Sequence, residues 1–190
     1  DLYLSERNET LDGLNITNIK IDRGQIVTEV NGGPYRRFKL TPNGVSPRLF
    51  PGTPGTTYVA ATDEHDEDGV VISDVFTNPA MRVKRMDKRM KKLDFILKEL
   101  PEPQLEGPAD ADITLVGFGS THAVMTEARE VLAREGVKVN VLAPVSLWPF
   151  KADAVRAILS KAKMTLGVEA NYTGQFAKLV RMETGIALQH

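Results

Sequence analysis

The least generic stretch of this 190-residue chain reads Gly44-Val45-Ser46-Pro47-Arg48, followed closely by Pro51-Gly52-Thr53-Pro54-Gly55. Prolines on both sides of a lone arginine restrict its backbone. A rigidly held guanidinium suits bidentate recognition of a carboxylate or a phosphate. The same rigidity suits an arginine that merely ties loop carbonyls together, and the residues leave both roles open. Downstream, Asp63-Glu64-His65-Asp66-Glu67-Asp68 has ligand-type side chains. Consecutive positions cannot all face one metal, and the alternating oxygens and closing glutamate of a calcium loop are absent. A solvated acidic loop is the expectation, with His65 or one carboxylate turned into a site as the alternative.

Three further clusters follow short apolar runs. Gly117-Phe118-Gly119-Ser120-Thr121-His122 is a glycine-rich turn in which Ser120 is expected to cap a helix. Such a turn can hold an anion on unpaired backbone N–H groups, yet the dinucleotide pattern would want a third glycine where His122 stands. A tight turn with a cap is the main expectation, nucleotide binding the alternative, and His122 is read as a surface residue of the first helical turn. Ala143-Pro144-Val145-Ser146-Leu147-Trp148-Pro149-Phe150 and Glu169-Ala170-Asn171-Tyr172-Thr173-Gly174-Gln175 are the other two. Ligands in open α/β sheets bind at the carboxyl ends of the strands, where all three loops would lie. Gly119, Ser120, Trp148, Asn171, Thr173 and Gly174 are therefore the candidate loop or interface residues. Trp148 and Phe150 are expected to pack on another chain or on the first half, with a substrate pocket as the alternative.

The elements that must position these groups show best after residue 110. Ile113–Gly117, Val139–Ala143 and Thr165–Glu169 are apolar runs too short for helices, with starts 26 residues apart. Between and after them, Val124/Ala128/Val131/Leu132, Val155/Ile158/Leu159/Ala162 and Phe176/Leu179/Val180 have the spacing of one buried helix face. Strand–helix–strand alternation with continuous apolar strands predicts a small, doubly wound parallel α/β sheet over 110–190. Only three strands are visible where about five are usual. Partners would complete the sheet, or the chain is truncated near Ile186.

Residues 1–109 predict an irregular, partly β segment ending in an amphipathic helix. Ile19–Ile21 and Gln25–Val30 flank Asp22-Arg23-Gly24 as a β-hairpin, with Tyr35–Leu40 as a third strand. Residues 41–58 carry too many prolines and glycines for a regular element. Six acids and no base occupy 62–74, and eight bases with two acids occupy 82–98, so the two runs are expected to pair. The basic segment has apolar residues at 83, 86, 90, 93, 97 and 100, a narrow seam expected to pack. Phosphate contact by this helix is the alternative, without the interleaved aromatics that nucleic-acid binding favours.

Composition narrows the chemistry. With 24 Lys+Arg against 25 Asp+Glu, the net charge of -1 gives no general attraction to nucleic acid or an anionic membrane. The absence of cysteine excludes a disulfide, a thiolate nucleophile and a cysteine-held iron–sulfur cluster on this chain, so a redox centre is expected on a partner. No apolar run approaches ~18 residues and no charged-then-apolar leader opens the chain, so the expected compartment is the cytoplasm. The opening Asp1-Leu2-Tyr3 lacks an initiator methionine, which suggests a fragment or a cleaved chain. There is no nucleophile elbow, P-loop or paired Cys or His set. No catalytic residue and no metal site is assigned.

Taken in order, the Gly44–Arg48 and Pro51–Gly55 stretches, Glu64-His65-Asp66-Glu67, the basic helix through Met81-Arg82-Val83-Lys84-Arg85-Met86, Gly117–Ser120 and Glu169–Gln175 resemble the alpha subunit of 2-oxoacid:ferredoxin oxidoreductases, the 2-oxoglutarate type most closely, in its carboxyl-terminal portion. The resemblance implies a division at 109/110. Residues 1–109 would hold the end of the domain that binds the pyrimidine half of thiamine diphosphate, with Asp1–Glu6 as its last strand, then linker, hairpin and basic helix. Residues 110–190 would be a domain like the carboxyl-terminal domain of transketolase. It further implies oxidative decarboxylation of a 2-oxoacid with coenzyme A, electrons leaving to ferredoxin. Thiamine diphosphate and Mg2+ belong to the intact complex and a [4Fe-4S] cluster to the beta subunit. The family's activating glutamate and Tyr-Pro-Ile-Thr-Pro motif have no counterpart here, nor does the beta subunit's Gly-Asp-Gly motif. The chain alone is accordingly expected to be inactive and to bind no cofactor, to act in a hetero- or homo-oligomer, and to use neither nucleic acid nor membrane. Ser46, Arg48 and His65 are the substrate-binding candidates. A docking module, a transketolase or pyruvate dehydrogenase component, and a stand-alone nucleotide enzyme remain as alternatives.

Overall fold

A computed structural model describes residue 10, residues 21–30, 33–60, 63–72 and 78–189. Two compact units divide the described chain, one within 14–98 and the other from Glu99 onward.

The first unit has little regular structure, as its prolines and glycines require. Strands β1 (Ile26–Val27) and β2 (Arg48–Leu49) pair in parallel, Ile26 opposite Arg48 and Val27 opposite Leu49. The expected hairpin is thus corrected in part: Gln25–Val27 pairs with a segment some twenty residues downstream, and its proposed arm at Ile19–Lys20 lies outside the described residues. Asp22 Oδ1 accepts from the Gly24 N–H at 2.8 Å, closing the turn that was expected there. Tyr35–Leu40 is no strand; it bends through a turn at Arg37–Phe38, where its backbone bonds to side chains, the Phe38 carbonyl to Arg85 and Lys88 and the Leu40 N–H to Glu67. Glu64–Ile72 folds back on itself, with His65 bridged to Val71. The Asp66 carboxylate accepts from the N–H groups of Asp68 and Val70, both at 2.9 Å.

Helix α1 spans Pro79–Glu99. Asn78 Oδ1 accepts the Met81 N–H at 3.0 Å and so satisfies one of its orphan donors. The expectation that its apolar seam packs fails in its first half, while Leu93, Leu97 and Leu100 are half-buried. Val83, Met86 and Met90 are exposed, whereas Arg85 and Lys88 are buried. The basic face turns inward because backbone carbonyls and carboxylates of the overlying loops offer it partners, which a cation needs to leave water.

In the second unit, β3 (Leu105–Glu106), β4 (Ile113–Gly117), β5 (Val139–Leu142) and β6 (Thr165–Val168) form one sheet in the order β3-β5-β4-β6. The last three are parallel, at the positions their apolar runs indicate. Strand β3 pairs antiparallel with β5, so the sheet is mixed and begins before residue 110. Helix α2 (Thr121–Arg134) covers one face and α3 (Ala152–Leu159) with α4 (Gln175–Thr184) the other. Alternation along β4 divides the core: Leu115 packs with Met125, Val139 and Val141, and Val116 with Leu142, Val155, Phe176 and Val180. Phe150 enters this second cluster, 5% exposed, which corrects its assignment to an interface.

Candidate functional site

In the first unit, local structure concentrates on Arg48. Its own N–H donates to the Gln25 carbonyl at 2.8 Å. The Tyr35 hydroxyl donates to the Pro47 carbonyl at 2.7 Å and accepts from the Leu49 N–H at 3.0 Å, so one phenol brackets the residue on both sides. Tyr35 is itself braced edge-on against Tyr58, with ring centroids 5.1 Å apart. Leu49 is buried at 2% exposure and Arg48, its neighbour along the strand, faces outward. Among the described residues the Arg48 guanidinium makes no hydrogen bond or ion pair. Of the carbonyls near it in the loop, Pro47 takes the Tyr35 hydroxyl, Val45 the Thr41 hydroxyl and Phe50 the Thr53 hydroxyl.

Arg48 lines a cavity of about 420 Å³ with Arg23, Arg37, Arg85, Lys88, Arg89 and Lys92. Ser46, His65, Phe38 and Val45 complete its wall, and no carboxylate does. The deepest cations are fixed. Arg85 Nη1 donates to the Phe38 carbonyl at 2.7 Å and Nη2 to His65 Nε2 at 2.8 Å. Lys88 donates to the Phe38 carbonyl at 3.2 Å and, at very short range, to Ser46 Oγ. Ser46 in turn donates to the Lys39 carbonyl at 2.8 Å. Gly44 allows this contact: its φ is +74°, and a Cβ there would stand 2.6 Å from the Lys88 carbonyl oxygen. Burial pushes the Lys88 amine down to about 8, with Arg85, Lys92 and Arg37 adding to the effect and Glu67 opposing it. Burial likewise lowers Arg85, against the attraction of Glu64. Burial is the first cause of both shifts, and it is the cationic lining of the cavity that would favour an anion there.

The acidic run does pair with the basic helix, through Glu64. Arg89 meets both its oxygens at 2.9 and 2.8 Å, and Arg85 Nε lies 3.9 Å from one of them. The solvated loop is otherwise corrected: Glu67 accepts the Leu40 N–H at 2.7 Å and Asp68 pairs with Arg36 at 2.9 Å. His65 reaches the cavity wall with both nitrogens committed, Nδ1 lying 2.6 Å from the Asp63 carbonyl. A carbonyl can only accept, so the proton sits on Nδ1 and Nε2 takes the Arg85 hydrogen bond. The sequence signalled the charged partners, but the role of Tyr35 had no signal in it.

The loop candidates group separately, in the second unit. Ser120 occupies the N-cap position of α2 without a side-chain bond, so its expected cap is absent. Thr121 Oγ1 instead accepts the Phe118 N–H at 3.1 Å and donates to the Phe118 carbonyl at 2.7 Å. The N–H groups of Thr121 and His122 bond to Phe118 and Gly119, which leaves them unavailable for an anion. Gly119 takes φ 59°, as the turn requires. His122 meets Glu106 at 2.8 Å from a half-exposed position. At α4 the anion position is filled from within the chain: Glu169 accepts the N–H groups of Phe176 at 2.8 Å and Ala177 at 3.0 Å. Asn171 Oδ1 accepts the Gln175 N–H at 3.0 Å, Thr173 lies 3.4 Å from the same oxygen, and Gly174 has φ 65°. Trp148 remains 67% exposed. Among the described residues no three His, Asp or Glu side chains gather as a metal site, and no helix is long and apolar enough to cross a membrane.

Residues 105–181 match the transketolase C-terminal domain family. The chain is 33% identical over 180 residues to the 2-oxoacid:ferredoxin oxidoreductase subunit alpha of Saccharolobus solfataricus, covering 93% of this chain and 28% of that protein. It is 34% identical over 191 residues to subunit alpha of 2-oxoacid:ferredoxin oxidoreductase 2 of Aeropyrum pernix, covering 98% and 29%. Among solved structures, the 2-oxoglutarate:ferredoxin oxidoreductase of Magnetococcus marinus with 2-oxoglutarate, coenzyme A and succinyl-CoA bound is similar, with a TM-score of 0.70 and 31% identity over 84% of this chain and 28% of that one. The chain therefore spans little more than a quarter of the relatives it matches, and within that span it belongs with the alpha subunits of 2-oxoacid:ferredoxin oxidoreductases.

Proposed function

We propose that the chain is part of the alpha subunit of a thiamine-diphosphate-dependent 2-oxoacid:ferredoxin oxidoreductase that takes 2-oxoglutarate, and that its basic cavity receives the anionic end of the substrate. In this reaction the bond between the carboxylate carbon and the keto carbon breaks and carbon dioxide leaves. The acyl group passes to the thiol of coenzyme A, and the electrons pass to ferredoxin. The observation that carries the reading is the Arg48 guanidinium, its backbone pinned at three consecutive residues and its head unpaired among the described residues, at the wall of a cavity lined by cations. A carboxylate there accepts two parallel charge-assisted hydrogen bonds, each roughly twice as strong as a neutral one. Ser46, committed to Lys88 and Lys39, supports that anchor, and His65 supports Arg85. The substrate class is supported by the Magnetococcus marinus structure, whose ligands include 2-oxoglutarate and coenzyme A.

This chain offers no fit for the redox centre or the metal: it has no cysteine, and no described cluster of acids and histidines. The [4Fe-4S] cluster and Mg2+ are therefore proposed to lie in the rest of the complex, thiamine diphosphate is proposed as a cofactor of the intact complex, and the chain is proposed to be inactive without its beta subunit. A hetero-oligomer in the cytoplasm, acting without nucleic acid or membrane, is the corresponding assembly, with the exposed Trp148 and the Asn171–Gly174 loop at the subunit contact. The division into a segment up to residue 109 that continues a thiamine-binding domain and a following α/β domain is part of the same proposal. The test is reconstitution of the intact alpha subunit with its beta subunit, followed by ferredoxin reduction. The expected result requires both 2-oxoglutarate and coenzyme A, with pyruvate a poorer substrate. Equal turnover without coenzyme A would refute it.

A further inference from the structure

We propose that Lys88 is a positioning residue for Arg48, holding from the buried face of α1 the loop that presents the guanidinium to an anionic substrate. The proposal rests on the carboxylate-binding reading of Arg48. Lys88 joins two parts of the chain that line the same cavity as Arg48. It donates to the Phe38 carbonyl at 3.2 Å and to the hydroxyl of Ser46, two residues before Arg48. Arg85, one turn away on the same helix face, fastens the same Phe38 carbonyl at 2.7 Å. Gly44, pressed against the Lys88 backbone, lets the loop come close enough for the ammonium to reach Ser46. Lys88 is 7% exposed, so water offers it little alternative partnership.

The clamp is also sensitive to pH. The amine titrates near 8, lowered first by burial and then by Arg85 and Lys92 of its own helix and by Arg37, with Glu67 the opposing acid. Below that value it is a charged clamp with charge-assisted hydrogen bonds. Above it the bonds weaken to neutral ones and one cation is lost from the cavity wall.

The test uses the intact alpha–beta enzyme and follows KM for the 2-oxoacid, kcat and melting temperature from about pH 6.5 to 9.5 in the wild type, Lys88→Met and Lys88→Arg. The expected wild-type KM rises about tenfold through an inflection near pH 8, with kcat changing less than about twofold. Lys88→Met has the raised KM already at pH 7 and no inflection. Lys88→Arg, whose guanidinium keeps its charge throughout, restores a low KM and removes the inflection. A melting point lowered in Lys88→Met with KM unchanged would overturn the proposal, and a wild-type KM flat across pH 8 beside a raised KM in Lys88→Met would overturn the pH sensitivity and leave the positioning role supported. Arg48→Ala serves as the control. A raised KM in Arg48→Ala beside an unresponsive Lys88 series overturns the positioning role alone, and an unchanged KM in Arg48→Ala overturns the reading beneath it.

Discussion

The Arg85 guanidinium donates to His65 Nε2 at 2.8 Å while the Asp63 carbonyl takes the other ring nitrogen at 2.6 Å, so His65 is a bridge between helix α1 and the acidic turn. The ring also lies against Phe38, with centroids 3.6 Å apart. His65→Ala would strip a buried donor and a carbonyl of their partners and remove that packing, a loss of about 2 to 4 kcal/mol. Urea denaturation measures it. Because neither ring nitrogen is free to meet substrate, kcat/KM per folded molecule should stay within roughly threefold of wild type.

Lys88 makes a second prediction, on stability. Its folded value of about 8 lies below the ordinary 10.5. Between those limits the unfolded chain binds a proton that the folded chain has released, so this group makes the unfolding free energy rise with pH across that window. Below about 8 both states carry the proton and the cost of burying the charge is fully present. Denaturant midpoints for wild type and Lys88→Met at about pH 7.5 and 9.5 isolate the effect. Wild type should gain stability relative to the variant on going to the higher pH, and a constant difference would exclude the shift.

A third prediction concerns Glu169, whose carboxylate fills the amino terminus of α4 through the N–H groups of Phe176 and Ala177. Glu169→Gln keeps the shape but removes the charge that complements the helix dipole and replaces one of the two accepting oxygens by an NH2 group that faces a donor, at a cost of about 1 to 3 kcal/mol. The melting point should fall by a few degrees with KM for the 2-oxoacid unchanged. A changed KM with an unchanged melting point would show that the loop serves a ligand.

The sequence made the α/β unit largely legible because buried parallel strands are written as uninterrupted apolar runs. Ile113–Gly117, Val139–Leu142 and Thr165–Val168 stand where those runs lie. Strand β3 was not legible, since two residues carry no period and its pairing with β5 is a matter of tertiary contact. The same limit hid the parallel pairing of Ile26–Val27 with Arg48–Leu49. On α1 the hydrophobic pattern did not show the buried cations: Arg85 and Lys88 reach the Phe38 carbonyl, and Arg85 the His65 ring, far along the chain, and periodicity does not record partners. Arg48 was legible through its flanking prolines. Tyr35, which fixes the backbone on either side of it, was not, because the contact spans 12 to 14 residues of irregular chain.

The most direct measurement is steady-state kinetics of Arg48→Ala and Arg48→Lys in the intact enzyme, beside their melting temperatures. An unpaired guanidinium that binds a substrate carboxylate should cost, when removed, about 2 to 4 kcal/mol, roughly 30- to 1000-fold in kcat/KM. Lysine should rescue poorly, lacking the planar fork. Folding should be nearly untouched, because the three backbone contacts that hold residue 48 and its neighbours do not use its side chain. Kinetics unchanged in both variants, with a lowered melting point, would contradict the assignment of Arg48 to the substrate.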